Sequence, residues 1–194
     1  MLDLFLPDGW NDNEKSVKTY QHSFVVAKAA EKIASRTKDL DPDKSYIYGL
    51  MHDLGKFFLS KEFMYQHPRI GYEKLKVEYP DIADICISHA FPDFDVFDQI
   101  LQYCHGCEIE ANKIFEILKT VRMTEYVELI QFCDKVSTLD GYVTFDAKIN
   151  WYIENSRSKN NELNKLYRDK LGEIKLKLDI LTGYDVYDLL GVNQ

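Results

Sequence analysis

The sequence is short of cysteine, of positive charge and of long apolar runs. Four cysteines in 194 residues (Cys86, Cys104, Cys107 and Cys133) are too few and too scattered for a disulfide scaffold at this size. One pair, Cys104-His105-Gly106-Cys107, has CxxC spacing, but no second pair joins it to complete a zinc site, so these thiols read as structural or incidental. His105, with no partner of its own kind, reads likewise as a surface or structural residue. No apolar stretch approaches the ~20 residues that span a membrane. The opening segment, Met1 to Asp8, lacks a basic n-region, and its apolar part is too short for a signal peptide, so a cytoplasmic protein is expected. Lysine and arginine number 24 against 32 acidic residues, a net charge of −8, which excludes a broad nucleic-acid surface. A small phosphorylated ligand needs only a few local cations and a metal, so that partner stays open. Low-complexity tracts and internal repeats are also missing. Oligomeric state is not set by any of this; a homodimer is compatible with it.

What is present is enough apolar material, 45% of the chain, to build a core, with 29% charged residues to solvate it. One domain covering residues 1–194 is expected. Asn11-Asp12-Asn13 supplies capping residues, and Glu14 to Lys38 reads as one long helix. Asp41-Pro42 opens a second helix, with Tyr46, Leu50, Asp53 and Phe57 expected on its inward face and Gly55 loosening or ending it. His67-Pro68 opens a third and Pro80-Asp81 a fourth, and Phe91-Pro92 breaks the run. Residues 94–104 and 108–121 read as two amphipathic helices without evident chemistry. Thr124 caps the next, which Asp140-Gly141 should end. Beyond Val143 the pattern predicts a helix through Trp151, a polar loop around 155–161, a charge-rich helix over about 162–181 and a short one at 185–190. No strand pairs are expected. The fold class is all-α.

Ligand-type side chains collect on the inward faces. His22 shares its face with Val25, Val26, Ala29 and Ile33. His52-Asp53 stands near the end of the second helix, with Lys56 one turn on. His67 starts a helix that carries Gly71 one turn later, where glycine costs ~1 kcal/mol relative to alanine unless something approaches closely. His89 lies with Ile82, Ile85 and Cys86, and Asp134 with Val127 and Ile130. One inward histidine is ordinarily a hydrogen-bonded core residue. Four of them with two carboxylates would each need a separate partner, whereas a shared metal centre satisfies all six.

These residues resemble the HD superfamily of metal-dependent phosphohydrolases, whose signature is H…HD…D on a helical bundle. In this chain it would be His22, His52-Asp53 and Asp134, within "YQHSFVVAKAAEKIA", "YIYGLMHDLGKFFL" and "LIQFCDKVSTLDG". "HPRIGYEKL" and "ICISHAF" are similar to the segments that complete a second site in two-metal members, although Ala90 stands where some of those carry a further histidine. The resemblance covers roughly 14–141 and leaves 142–194 as a helical extension without a family motif. It implies a single HD-type bundle with additional C-terminal helices. The implied activity is hydrolysis of a small phosphate ester or anhydride, a nucleotide or related phosphometabolite, with metal-activated water as nucleophile. It implies one or two divalent transition ions held by His22, His52, Asp53, His67, His89 and Asp134, with Asp53 best placed to bridge a pair and to take part in catalysis. Lys56 would neutralise charge on the phosphate, and Arg69 is a second candidate for binding it. Mixed nitrogen and oxygen ligation suits Fe, Mn, Co, Ni or Zn. The alternative is a sensing domain that retains the metal and binds a nucleotide or other phospholigand without turning it over. A closed structural site would instead favour Cys/His tetrahedral ligation.

Overall fold

The structure is a computed structural model that describes residues 14–155 and 160–192; the Asn11-Asp12-Asn13 cap, the opening segment and most of the polar loop at 155–161 lie outside the described residues. Ten α-helices follow in order: α1 (Glu14–Ala34), α2 (Pro42–Met51), α3 (His67–Leu75), α4 (Pro80–Ser88), α5 (Phe97–Tyr103), α6 (Glu108–Leu118), α7 (Glu125–Val136), α8 (Phe145–Asn155), α9 (Asn161–Thr182) and α10 (Val186–Leu190). Two 3₁₀ segments, Leu54–Phe58 and Lys61–Gln66, join α2 to α3. The all-α class holds. Among the described residues its one exception is a two-residue antiparallel pair, β1 (Ser137–Thr138) with β2 (Gly141–Tyr142), which was not expected.

Local chemistry explains the ends. Asp41 accepts from the Lys44 amide and Thr124 from the Val127 amide, so each satisfies an orphan donor at a helix start. α1 stops at Ala34 instead of continuing to Lys38. The Arg36 and Thr37 amides tighten to i−3 carbonyls, and the Thr37 hydroxyl donates to Ala34 while accepting from Leu40, which unwinds the chain. α7 stops at Val136 instead of Asp140, because Gly141, at φ 132°, turns the chain back into β2.

The rotation of α2 also differs from expectation. Ser45, Tyr48, Gly49 and Met51 are its buried residues, not Tyr46 and Leu50. Gly49 sets this: a Cβ there would lie 2.6 Å from the Ala27 Cα, so α1 and α2 meet backbone to backbone. Asp53 is buried for another reason. The α-helix has ended by then, and Asp53 (φ −99°, ψ 12°) leads into the 3₁₀ segment, which turns its carboxylate inwards. Gly55 acts through close approach rather than as a helix terminator. A Cβ on it would fall 2.0 Å from the His67 carbonyl oxygen and 2.8 Å from the Gly71 amide, so α3 lies directly on this segment. Gly71 in turn admits Cys86 of α4.

The largest core joins α1 and α7 to the C-terminal helices, through Ile33, Ile130 and Phe132 on one side and Leu171, Ile174 and Leu190 on the other. Full burial of each such side chain contributes roughly 1.5–3 kcal/mol. A second cluster under α5 and α6 holds Phe91, Ile100 and Ile114, and a third, around Met51, Leu54 and Cys86, underlies the His52-Asp53 pair. All four cysteines are free thiols. His105 is exposed in a left-handed turn (φ 53°) after α5, with its ring against Tyr65.

Candidate metal centre

His52, His67 and His89 stand at the junctions of helices, where the backbone can still accept a hydrogen bond three residues back. His52 Nδ1 is 2.7 Å from the Gly49 carbonyl, His67 Nδ1 is 2.8 Å from that of Met64, and His89 Nδ1 is 2.9 Å from that of Cys86. Three rings thus spend Nδ1–H on the main chain and turn Nε2 towards the Asp53 carboxylate, an arrangement typical of oriented metal ligands. The hydroxyl of Tyr103 on α5 lies 3.1 Å from His67 Nδ1 and further fixes that ring.

Asp53, 1% exposed, stands between two groups of donors. Its Oδ2 is 3.3 Å from His52 Nε2 and 4.0 Å from His22 Nε2. Its Oδ1 is 3.0 Å from His67 Nε2 and 3.5 Å from His89 Nε2. Asp134 Oδ1 closes the first group, at 2.9 Å from His22 Nε2 and 3.7 Å from His52 Nε2. The structure therefore brings all six residues named from the sequence into one cluster drawn from α1, α7, the first residue of α3 and the junctions after α2 and α4.

Two observations test whether a cation fits here. His52 Nε2 and Asp53 Oδ1 are buried without a hydrogen-bond partner, each a costly orphan in a protein interior. His67 Nε2 and His89 Nε2 face each other at 3.2 Å, although both rings place their protons on Nδ1. Burial pulls His67 down to about 4 and lowers His89, so neither ring gains a second proton to bridge the gap. Opposed lone pairs at that distance suit a shared cation. The donors fit: among the described residues, His22–His52–Asp134 and His52–Asp53–His89 each offer atoms close enough to hold one ion.

Lysines surround the carboxylates. Lys56 Nζ lies 2.5 Å from Asp53 Oδ2, and Lys135 pairs with Asp134 Oδ2. Burial would raise both carboxyl groups, but the neighbouring charges win and hold them well below their usual range: His52 and then Lys56 for Asp53, Lys135 and then Lys148 for Asp134. Burial pulls His52 down as well, yet Asp53 and Asp134 outweigh it and lift the imidazole to about 9, a proton that a bound cation displaces. Lys148 of α8 donates to the main-chain carbonyls of Asp134 and Ser137, and burial draws it down to about 8. Tyr152 of α8 and Tyr167 of α9 interact electrostatically with Lys135, and Tyr152 with Lys56 too.

Arg69 is placed differently from Lys56. Its guanidinium pairs with Glu110 (2.6 Å) and Glu73 (2.8 Å), neither of which belongs to the cluster. Sequence reasoning missed Tyr103, Lys135, Lys148, Tyr152 and Tyr167. Only Lys135, beside Asp134, carried a signal that could have flagged it.

A helical bundle that gathers four histidines around two carboxylates, with two triads able to hold an ion, defines a helical domain built for divalent metals. The family model of the HD domain matches residues 19–139, a span that contains all six ligand-type residues, and the chain belongs to that family, within the superfamily of metal-dependent phosphohydrolases. No curated protein and no solved structure matches the chain. Lys148, Tyr152 and Tyr167 lie beyond the matched span. Among the described residues no helix is long and apolar enough to cross a membrane.

Proposed function

We propose that the protein is a metal-dependent phosphohydrolase that cleaves a small phosphate ester or anhydride, such as a nucleotide or related phosphometabolite. The observation that carries this reading is the double use of Asp53, whose Oδ2 faces His22 and His52 while Oδ1 faces His67 and His89. A carboxylate shared in this way suits a pair of divalent ions, which when bound supply Lewis-acid polarisation of phosphoryl oxygen and a lowered pKa for water.

The chain's own residues account for the rest. His52, His67 and His89, each fixed through Nδ1, present Nε2 in set directions, so little reorganisation is needed when ligands assemble. Lys56, a quarter exposed, places an ammonium beside Asp53 where it can neutralise charge that develops on a phosphate. Lys135 does the same beside Asp134. Ligation by nitrogen and oxygen alone suits Mn, Fe, Co, Ni or Zn.

The test is a colorimetric phosphate-release screen across phosphorylated metabolites, run on protein loaded in turn with each of these metals. Release above the chelator-treated control is expected with at least one metal. No release from any substrate with any metal, in protein shown to contain the ion, would overturn the proposal.

A further inference from the structure

We infer that this centre takes a terminal, doubly ionised phosphate, either a phosphomonoester or the end group of a di- or triphosphate, in preference to a phosphodiester. The inference rests on the phosphohydrolase reading above and narrows its substrate class.

Its basis is a charge balance. The carboxylates in the cluster are Asp53 and Asp134, and each is already matched by a lysine, Asp53 by Lys56 at 2.5 Å and Asp134 by Lys135. A third ammonium, Lys148, stands 4.0 Å from Asp134 Oδ1, and Lys15, bonded to the Leu59 carbonyl, interacts electrostatically with Lys56. The other groups close to these charges include the four histidines, which hold a cation only as neutral imidazoles, and the phenols of Tyr103, Tyr152 and Tyr167, which burial keeps neutral. Even with Lys148 and Lys15 set aside, the acid and base charges cancel. Whatever charge a divalent ion brings is therefore left uncompensated by the protein.

That excess sits where water screens poorly, since the Asp53 side chain is 1% exposed and the Asp134 side chain 10%. An unbalanced charge in such a place is expensive, so the bound ligand has to supply the counter-charge. A phosphodiester carries one negative charge. A terminal phosphate carries nearly two above its second pKa of about 6. The chain as a whole has a net charge of −8, so the cluster runs against the protein's own average and the preference belongs to this locus.

The experiment is calorimetric titration of the metal-loaded full chain with methyl phosphate and, separately, dimethyl phosphate, at about pH 8, where the first is a dianion. Methyl phosphate should bind about tenfold or more tightly than dimethyl phosphate. Lys135→Met, checked for metal content, removes the close partner of Asp134 and should shrink that ratio. Equal or tighter binding of dimethyl phosphate to the wild-type protein would overturn the inference, and so would phosphodiester turnover at a kcat/KM equal to that of monoesters. The two readings fail separately. A clear methyl phosphate preference without hydrolysis of any substrate removes the phosphohydrolase reading and leaves the charge selection standing.

Discussion

The ammonium of Lys148 lies 4.0 Å from the carboxylate of Asp134 and donates hydrogen bonds to the carbonyls of Asp134 and Ser137 at the end of α7. The Asp134 carbonyl loses its helical partner when α7 stops at Val136, so α8 supplies a cap to it and to the flanking Ser137 carbonyl. A cation at a helix C-terminus also meets the negative end of the helix dipole. Lys148 thereby ties the end of α7 beside Asp134 to α8, from outside the span that matches the HD family.

Lys148→Met should weaken binding at the His22–His52–Asp134 group about 10–100-fold, in the range usual for residues that orient a ligand. Competition against a fluorescent chelator reads this directly. Added to Asp134→Ala, the same substitution should have little further effect, because both act on one ligand. Additive losses would show that Lys148 only supports the fold.

Gly55→Ala should destabilise the protein by about 1–3 kcal/mol, since its Cβ would fall 2.0 Å from the His67 carbonyl and α3 must move to accommodate it. Movement of α3 also carries His67 away from Asp53 Oδ1, now 3.0 Å distant. The variant should therefore lose metal on the His67 side before it loses cooperative unfolding. Chemical denaturation and metal analysis of the same sample check both parts.

Much of this candidate centre was legible because its ligand-type side chains are unusual residues for the faces they occupy. His22 beside Val26 and Ala29, His89 beside Ile85 and Cys86, and Asp134 beside Ile130 contradict an apolar periodicity, and such contradictions show in a sequence. The helix starts at Asp41-Pro42 and Pro80-Asp81 were equally plain, because proline at a first helical position acts locally, helped at the first by the Asp41 cap. The rotation of α2 was not legible. It depends on Gly49 meeting the Ala27 backbone, a contact with no periodic signature. Tyr103, Lys148, Tyr152 and Tyr167 were hidden for a related reason. Tyrosine and lysine on amphipathic helices are ordinary, and only the packing of α5, α8 and α9 shows what they face.

Asp53→Ala and Lys56→Ala should separate ligation from rate enhancement. Asp53 offers an oxygen to each histidine group, so its loss should abolish both metal retention and activity. Lys56 touches the carboxylate without being needed as a ligand. Its alanine variant should keep its metal and lose rate by on the order of tenfold to a thousandfold. Inductively coupled plasma analysis beside phosphate release on each variant makes the comparison. Full activity in Lys56→Ala would remove that lysine from the mechanism.

The last prediction concerns stoichiometry: wild type reconstituted with excess metal should approach two equivalents, and His67→Ala/His89→Ala should retain one. His22, His52 and Asp134 form one group without any help from the other two histidines. His67 and His89 lie outside that group, and their Nε2 atoms oppose each other at 3.2 Å with both protons on Nδ1. His67, His89 and the otherwise unpartnered Asp53 Oδ1 would hold a second ion. The two ions should differ in affinity. The first group keeps Asp134 as a carboxylate of its own, whereas the second has only its share of Asp53, and Ala90 adds no donor beside His89. Chelation should therefore proceed in two steps, the weaker ion leaving first. Each step should lower the thermal midpoint, since an ion bound only to the folded state at 1,000 times its Kd contributes about 4 kcal/mol. Saturation of the wild type at one equivalent would refute the two-ion site and recast His67 and His89 as groups that handle substrate or protons. A thermal midpoint unmoved by exhaustive chelation of protein shown to contain metal would refute the coupling between ion and fold.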